Sequence, residues 1–334
     1  MRFCQVCGAE REMGRRYCFR CGTMYVMPLP SRSQRDDFSE QPRSETRNLC
    51  YYFLIAFGFT WLFWILEALA MKGLLGSSIL VDFLLSPNNP AAWGPLVSAV
   101  VLTSWNEGAR GVAKLLKRGV DYRFAKVWWI PTILIFPAIH GGALLLAILS
   151  GEALPKLFWV SSPFLIVVYF ITYLLTGGPL QEEFGWRGYA LGRLQARFNA
   201  LISSVILGFM WGLWHLPYFL IGTEVIYLYG FIPLLFSNIL FAILLTWLYN
   251  NTGGSILVSL IFHNMFIMST EMFPALKTQQ GSLFVLVFFV ATVIAVVAIW
   301  GPKRLVRTHA LYCHRCGKQV RLNSTYCTSC GTRL

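Results

Sequence analysis

Apolar residues in this chain come in long blocks, without the strict alternation or the regular polar face of a soluble fold. Eight stretches, 50–71, 88–105, 127–149, 157–178, 200–221, 229–249, 254–270 and 281–300, approach the roughly 20 apolar residues that a helix needs to cross a bilayer. The second and seventh carry the weakest apolar signal. The gaps are polar and short, so 48–300 is predicted to be a single helical membrane domain. The fold class expected is an all-α polytopic membrane protein of about eight transmembrane helices.

Composition excludes a soluble alternative. The chain is 56% hydrophobic and 13% charged, against about 25% charged residues in an average soluble domain. The net charge of +13 would fit a nucleic-acid partner if it lay on one face. Instead, of the 28 Lys and Arg, only Lys72, Lys156 and Lys277 fall outside 1–47, 107–126, 180–197 and 301–334. Alternate gaps are basic, as the positive-inside rule requires of cytosolic segments. The charge therefore reports topology, and no nucleic-acid partner is assigned. An even number of spans puts both termini in the cytosol of a multi-pass cell-membrane protein. The polar first 47 residues lack the apolar core of a cleavable signal, so the first span is expected to act as the targeting signal.

The termini repeat one another. Cys4-x2-Cys7-Gly8, ten residues, then Cys18-x2-Cys21-Gly22 is matched by Cys313-x2-Cys316-Gly317, ten residues, then Cys327-x2-Cys330-Gly331. Each quartet offers four thiolates in two CxxC knuckles, which suits a closed tetrahedral zinc site; redox-active dithiols are the alternative. So short a module has almost no core, and the metal must supply its folding free energy. The modules resemble short zinc ribbons, so the expected fold carries one at each terminus; the first (1–23) is joined to the membrane domain by a polar linker, 24–47. The second follows the last span through a basic tail within 301–334, close to the lipid surface. The ribbons can recruit a cytosolic partner, and Arg11, Arg15, Arg16 and Arg20 can equally meet anionic lipid. Cys50 reads as packing.

Ionisable groups inside apolar segments are costly and are functional candidates by default. Here they are Glu67, His140, Glu182, Glu183, Arg187, His215 and His263. The densest run is Gly177-Gly178-Pro179-Leu180-Gln181-Glu182-Glu183-Phe184-Gly185-Trp186-Arg187-Gly188. Gly-Gly-Pro ends one helix, and Pro179 suits the first turn of the next. Two acids in a first turn could do no more than favour the helix dipole. Glu183 and Arg187, four apart, can pair along that helix. Glu182 points about 100° away, towards Gly185 and Trp186, an apolar setting suited to a general base. A lone histidine in a span is often a packing residue. Two of them on separate helices near this run can hold and polarise a water, with or without a metal. Glu67, with Lys72 beyond it, reads as a partly snorkelled surface group, and His140, beside Gly141 and Gly142, as part of a helix crossing.

Glu182-Glu183-x-x-x-Arg187, an aromatic four residues before His215, and then His263, on successive hydrophobic segments, resemble the CAAX protease and bacteriocin-processing family of intramembrane proteases, long associated with abortive infection (Abi). The resemblance is close over about 170–270 and loose around it. It implies an intramembrane endopeptidase, of glutamic or metallo type, cutting a peptide or membrane-protein substrate near the cytosolic face. Glu182 would activate the water, His215 and His263 would orient it and stabilise the oxyanion, and Glu183 and Arg187 would hold the helix. The zinc predicted is structural, in the two ribbons; a catalytic metal stays open.

Two positions depart from the family pattern. Trp211 stands where phenylalanine is usual. Ile267 stands where the third motif has Asn or Asp four residues after its histidine; Asn264, about 100° round the helix, could serve only through local unwinding. At 1.5 Å per residue, His263 lies roughly 13 Å and His215 roughly 22 Å from the inner ends of their spans. They meet if the turn with Ser203 and Ser204 stays outside the hydrocarbon. The competing functions are a catalytically weak membrane scaffold or immunity-type protein recruiting partners through its ribbons, favoured by Ile267, and a transporter. A single ionisable cluster and the lack of a repeat among the spans argue against the transporter.

Overall fold

The computed structural model describes residues 41–86, 89–221 and 230–306, with 311–312, 315, 319–320, 330 and 332 of the C-terminal module. The first ribbon with Cys4, Cys7, Cys18 and Cys21, and also Cys313, Cys316 and Cys327, lie outside the described residues.

The protein is an all-α polytopic membrane protein. Its helices are α1 (Gln41–Met71), α2 (Ile79–Leu84), α3 (Gly94–Lys117), α4 (Trp129–Leu149), α5 (Phe158–Ser161), α6 (Leu165–Thr176), α7 (Pro179–Gly185), α8 (Leu191–Gln195), α9 (Ala200–Trp214), α10 (Tyr218–Ile221), α11 (Phe231–Asn251), α12 (Ile256–Met272) and α13 (Gln279–Trp300). A π-helical turn, Trp186–Ala190, joins α7 to α8. Among the described residues, five stretches are long and apolar enough to cross a membrane: Thr46–Met71, Lys126–Leu149, Leu165–Gln195, Phe231–Asn251 and Gln279–Trp300. Helices α9 and α12 are shorter apolar helices, and α3 completes the match to the eight predicted stretches.

The boundaries move where packing overrides hydropathy. The second predicted span, 88–105, becomes a helix from Gly94 to Lys117 with a break at Gly108, whose φ is 66°. The fourth is divided between α5 and α6. Residues 180–197, expected on the cytosolic side, carry most of α7, and every residue of α7 from Gln181 to Gly185 is buried in the bundle. Bare backbone permits this. A Cβ on Gly185 would lie 2.5 Å from Pro95 O, at the start of α3.

Helices α9 and α11 approach just as closely. A Cβ on Gly208 would lie 2.6 Å from Ile239 Cα, and one on Gly212 would lie 2.5 Å from Leu235 Cδ1. Small residues one turn apart let two apolar helices meet backbone to backbone. Gly208→Val is therefore expected to lower stability by about 1–3 kcal/mol, as overpacking a tight contact does. Denaturation of the detergent-solubilised protein measures this, and an unchanged midpoint would refute it.

The segment after α13 is docked against this pair. Ala200 and Leu201 donate their backbone N–H groups to Lys303 O (2.9 Å) and Pro302 O (3.1 Å), satisfying first-turn donors that a helix leaves open. Asn250 and Asn251 donate from Nδ2 to Arg304 O (2.8 Å) and Leu305 O (2.7 Å), and the Leu305 side chain is buried. Ser203 and Ser204 are buried in protein. Beyond the tail, β1 (Leu311–Tyr312) pairs antiparallel with β2 (Gln319–Val320), Leu311 opposite Val320. This hairpin brackets the Cys313-x2-Cys316 knuckle in sequence. Cys330 Sγ lies 3.2 Å from Thr332 Oγ1.

Candidate active site

The site begins at the break between α6 and α7. Gly178 has φ 121° and Pro179 takes the first helical position, as Gly-Gly-Pro predicted. A side chain at 178 would be strained, and its Cβ would lie 2.6 Å from Glu182 Oε1 and 3.6 Å from His263 Cε1. The bare backbone of Gly178 thus forms one wall beside the Glu182 carboxylate.

The two acids have different partners, as their angular separation on the helix predicted. Glu183 and Arg187 are wholly buried and pair at 2.9 Å, Arg187 Nη1 to Glu183 Oε1. The same oxygen lies 2.8 Å from His263 Nδ1, so Glu183 links α7 to α12. Glu182 has no contact of this kind with Arg187. Its Oε2 accepts hydrogen bonds from the indole N–H of Trp186, at 3.3 Å, and of Trp211. Trp186, predicted only as an apolar wall, is therefore also a donor, and Trp211 is a second.

His215 caps the C-terminus of α9 rather than lying within it. Its Nδ1 is 2.9 Å from Trp211 O; a carbonyl can only accept, so Nδ1 carries the hydrogen and Nε2 keeps its lone pair. Trp64 stacks at 6.0 Å and Trp214 meets the ring edge-on at 4.7 Å. The depth mismatch resolves at Trp211, whose ring centroid is 5.3 Å from that of His263 and 6.4 Å from that of His215. Phe241 of α11 stacks on Trp211 at 5.4 Å and meets His263 at 5.2 Å.

Of the five predicted residues, Glu182, Arg187, His215 and His263 thus meet at Trp211, and Glu183 joins them through Arg187 and His263. Reading the chain counted Trp211 only as an aromatic and missed it as a site residue; the signal present was an N–H donor on the face of α9 that leads to His215. Asn264 does not take over the position of Ile267. Helix α12 runs unbroken from Ile256 to Met272, and Asn264 is buried with its Nδ2 donating to Phe170 O (3.0 Å), tying α12 to α6. Among the described residues, no group of three or more His, Cys, Asp or Glu is disposed to hold a metal ion.

The other two candidates lie elsewhere. Glu67 is half-buried, and Asn89 Nδ2 donates to its Oε2 at 2.8 Å, joining α1 to the segment before α3. His140 is buried at the contact of α4 with α12, edge-on to Phe266 at 6.2 Å, consistent with a helix crossing.

Comparison with known proteins bears on this arrangement. Residues 162–269, which contain all five site residues, match the family described as Type II CAAX prenyl endopeptidase Rce1-like, and residues 312–334 match a zinc-ribbon domain. The chain is 26% identical over 231 residues to "CAAX prenyl protease 2" of Methanococcus maripaludis, an alignment covering 66% of this chain and 83% of that protein. The ordered cluster on α7, α9 and α12 lies within the part of the chain that is similar to the Rce1-like CAAX prenyl endopeptidase family, and the zinc-ribbon match follows it at the C-terminus.

Proposed function

We propose that the protein is an intramembrane endopeptidase of the CAAX prenyl protease type, in which Glu182 activates the water that attacks a peptide carbonyl. The observation that carries this reading is the division of the Glu182 carboxylate. Oε2 is occupied by two indole donors, while Oε1 faces the bare backbone of Gly178, which His263 Cε1 also borders. A water beside Oε1 can give up a proton there and attack the scissile carbon; the proton then passes to the leaving amine. Such a base contributes about 10²–10⁴-fold in rate.

The histidines take separate parts. His215 donates through Nδ1 to the Trp211 carbonyl, leaving its Nε2 lone pair to accept a hydrogen bond from the water. His263, set by the Glu183 carboxylate at Nδ1, is the ring placed to donate from Nε2 to the developing oxyanion when it carries its second proton. Glu183 and Arg187 hold α7 against α12. The peptide reaches this site at the cytosolic face, with both termini in the cytosol. The N-terminal cysteine quartet repeats the C-terminal one and forms a second zinc ribbon; both serve as closed caps available to a cytosolic protein partner.

The test is cleavage of a panel of peptides, prenylated and unprenylated, by the purified protein, comparing wild type with Glu182→Ala and His215→Ala. Cleavage lost in both variants is expected. No cleavage by wild type would favour the scaffold, and undiminished cleavage in the variants would overturn the roles assigned. Metal analysis runs beside it: about two zinc ions per chain, lost on replacing the eight paired cysteines by serine, are expected for tetrathiolate sites. A third zinc surviving that change would place a metal on the histidines.

A further inference from the structure

Trp211 touches four of the five site residues, each through a different part of the side chain or backbone. Its indole N–H donates to Glu182 Oε2. Its ring lies under the Arg187 guanidinium, with Cζ 4.6 Å from the ring centroid. His263 meets it nearly perpendicular, at 75° and 5.3 Å, and its carbonyl accepts from His215 Nδ1. Trp211 is 2% exposed, and Trp186, the second donor to the same oxygen, is fully buried.

We propose that Trp211, with Trp186, is a positioning residue that clamps Glu182: the two indole donors fix Oε2 and thereby aim Oε1 at the water. The proposal rests on the reading of Glu182 as the base. The physical reason is that a buried carboxylate with one oxygen doubly hydrogen-bonded has few rotamers left. The two donors reach it from different elements, Trp186 from its own helical turn and Trp211 from α9. Either alone would leave the carboxylate free to swing about the remaining bond, and a reacting group displaced by about 1 Å can lose about 10²-fold in rate. Phenylalanine at 211 keeps the ring against Arg187, Phe241 and His263 and the carbonyl for His215. It removes only the N–H.

Two measurements test the clamp, one independent of activity. The protein holds 12 tryptophans, and ¹⁵N-indole labelling in detergent gives a signal for each N–H; the signals lost in Trp211→Phe and Trp186→Phe identify the clamp pair. Glu182→Ala, which removes the acceptor, is expected to move both, while Trp159, whose indole N–H donates to Met272 O at 2.8 Å, stays in place. If neither clamp signal moves, the proposal is overturned whether or not the protein cleaves peptides. In the cleavage assay, Trp211→Phe is expected to lower kcat about 10²-fold with KM within about twofold, while Trp159→Phe leaves both unchanged. A kcat within twofold of wild type in Trp211→Phe would also overturn it. Should Trp211→Phe fail to fold, the Glu182→Ala spectrum decides alone: two displaced indole signals support the clamp and none refutes it. Absence of cleavage by wild type would instead refute the reading of Glu182 as a base, leaving the clamp to be judged by the spectra.

Discussion

Glu182→Gln is expected to lower kcat by about 10²–10⁴-fold, the contribution of a positioned general base, with little loss of stability. Glutamine keeps the size of the side chain, and its amide oxygen can still accept from Trp186 and Trp211, the two donors to Oε2. What it cannot do is take a proton from water. The substitution therefore separates chemistry from architecture more cleanly than alanine, which also empties a buried site. The check is kcat on a cleaved peptide together with the unfolding midpoint of the same sample. Full activity in Glu182→Gln would remove Glu182 from the chemistry, whereas lost activity with a collapsed midpoint would assign it a structural part.

Arg187→Met should act in the opposite way, on stability first. Arg187 and Glu183 are both wholly inaccessible and paired at 2.9 Å, so deleting the cation leaves a carboxylate buried with only His263 beside its Oε1. Removing one member of such a pair costs about 3–5 kcal/mol, whereas replacing both by apolar residues of similar size is often close to neutral. The double variant Glu183→Leu, Arg187→Met is accordingly expected to recover much of the stability lost by Arg187→Met alone. It should not recover cleavage, because His263 then has no carboxylate to orient it. Denaturation midpoints of the three proteins in one detergent measure the pattern. A single variant as stable as wild type would mean that the pair contributes nothing to the fold.

These two residues also illustrate what could be read before any coordinates. The separation of Glu182 from Glu183 follows from helical geometry once Pro179 starts a helix, because 100° per residue and the i to i+4 spacing leave little choice. That Arg187 would take Glu183 was legible for this reason. That Glu183 would also take His263, 80 residues further on, was not; such a contact depends on which face of α12 meets α7. The same limit hides how deeply α7 is packed. Two acids and an arginine lower the apparent hydropathy of the segment, and nothing local reveals that Gly185 lies against Pro95 or that Glu182 and Glu183 find partners on α9 and α12. The partner of Glu67, Asn89, was hidden for the same reason, being remote in sequence.

The sequence by itself determined the class of protein, the approximate positions of eight helical segments, the C-terminal ribbon and the residues around which a site could form. Each of these depends on local composition, spacing or helical period, which tertiary contacts modify only at the boundaries. The tertiary structure alone decided that Trp211 would be the centre of the site, that His215 would sit at the end of α9, and that the tail after α13 would cap that helix. These outcomes depend on how closely backbones approach, at Gly178, Gly185, Gly208 and Gly212, and close approach is a property of two segments that neither reveals alone.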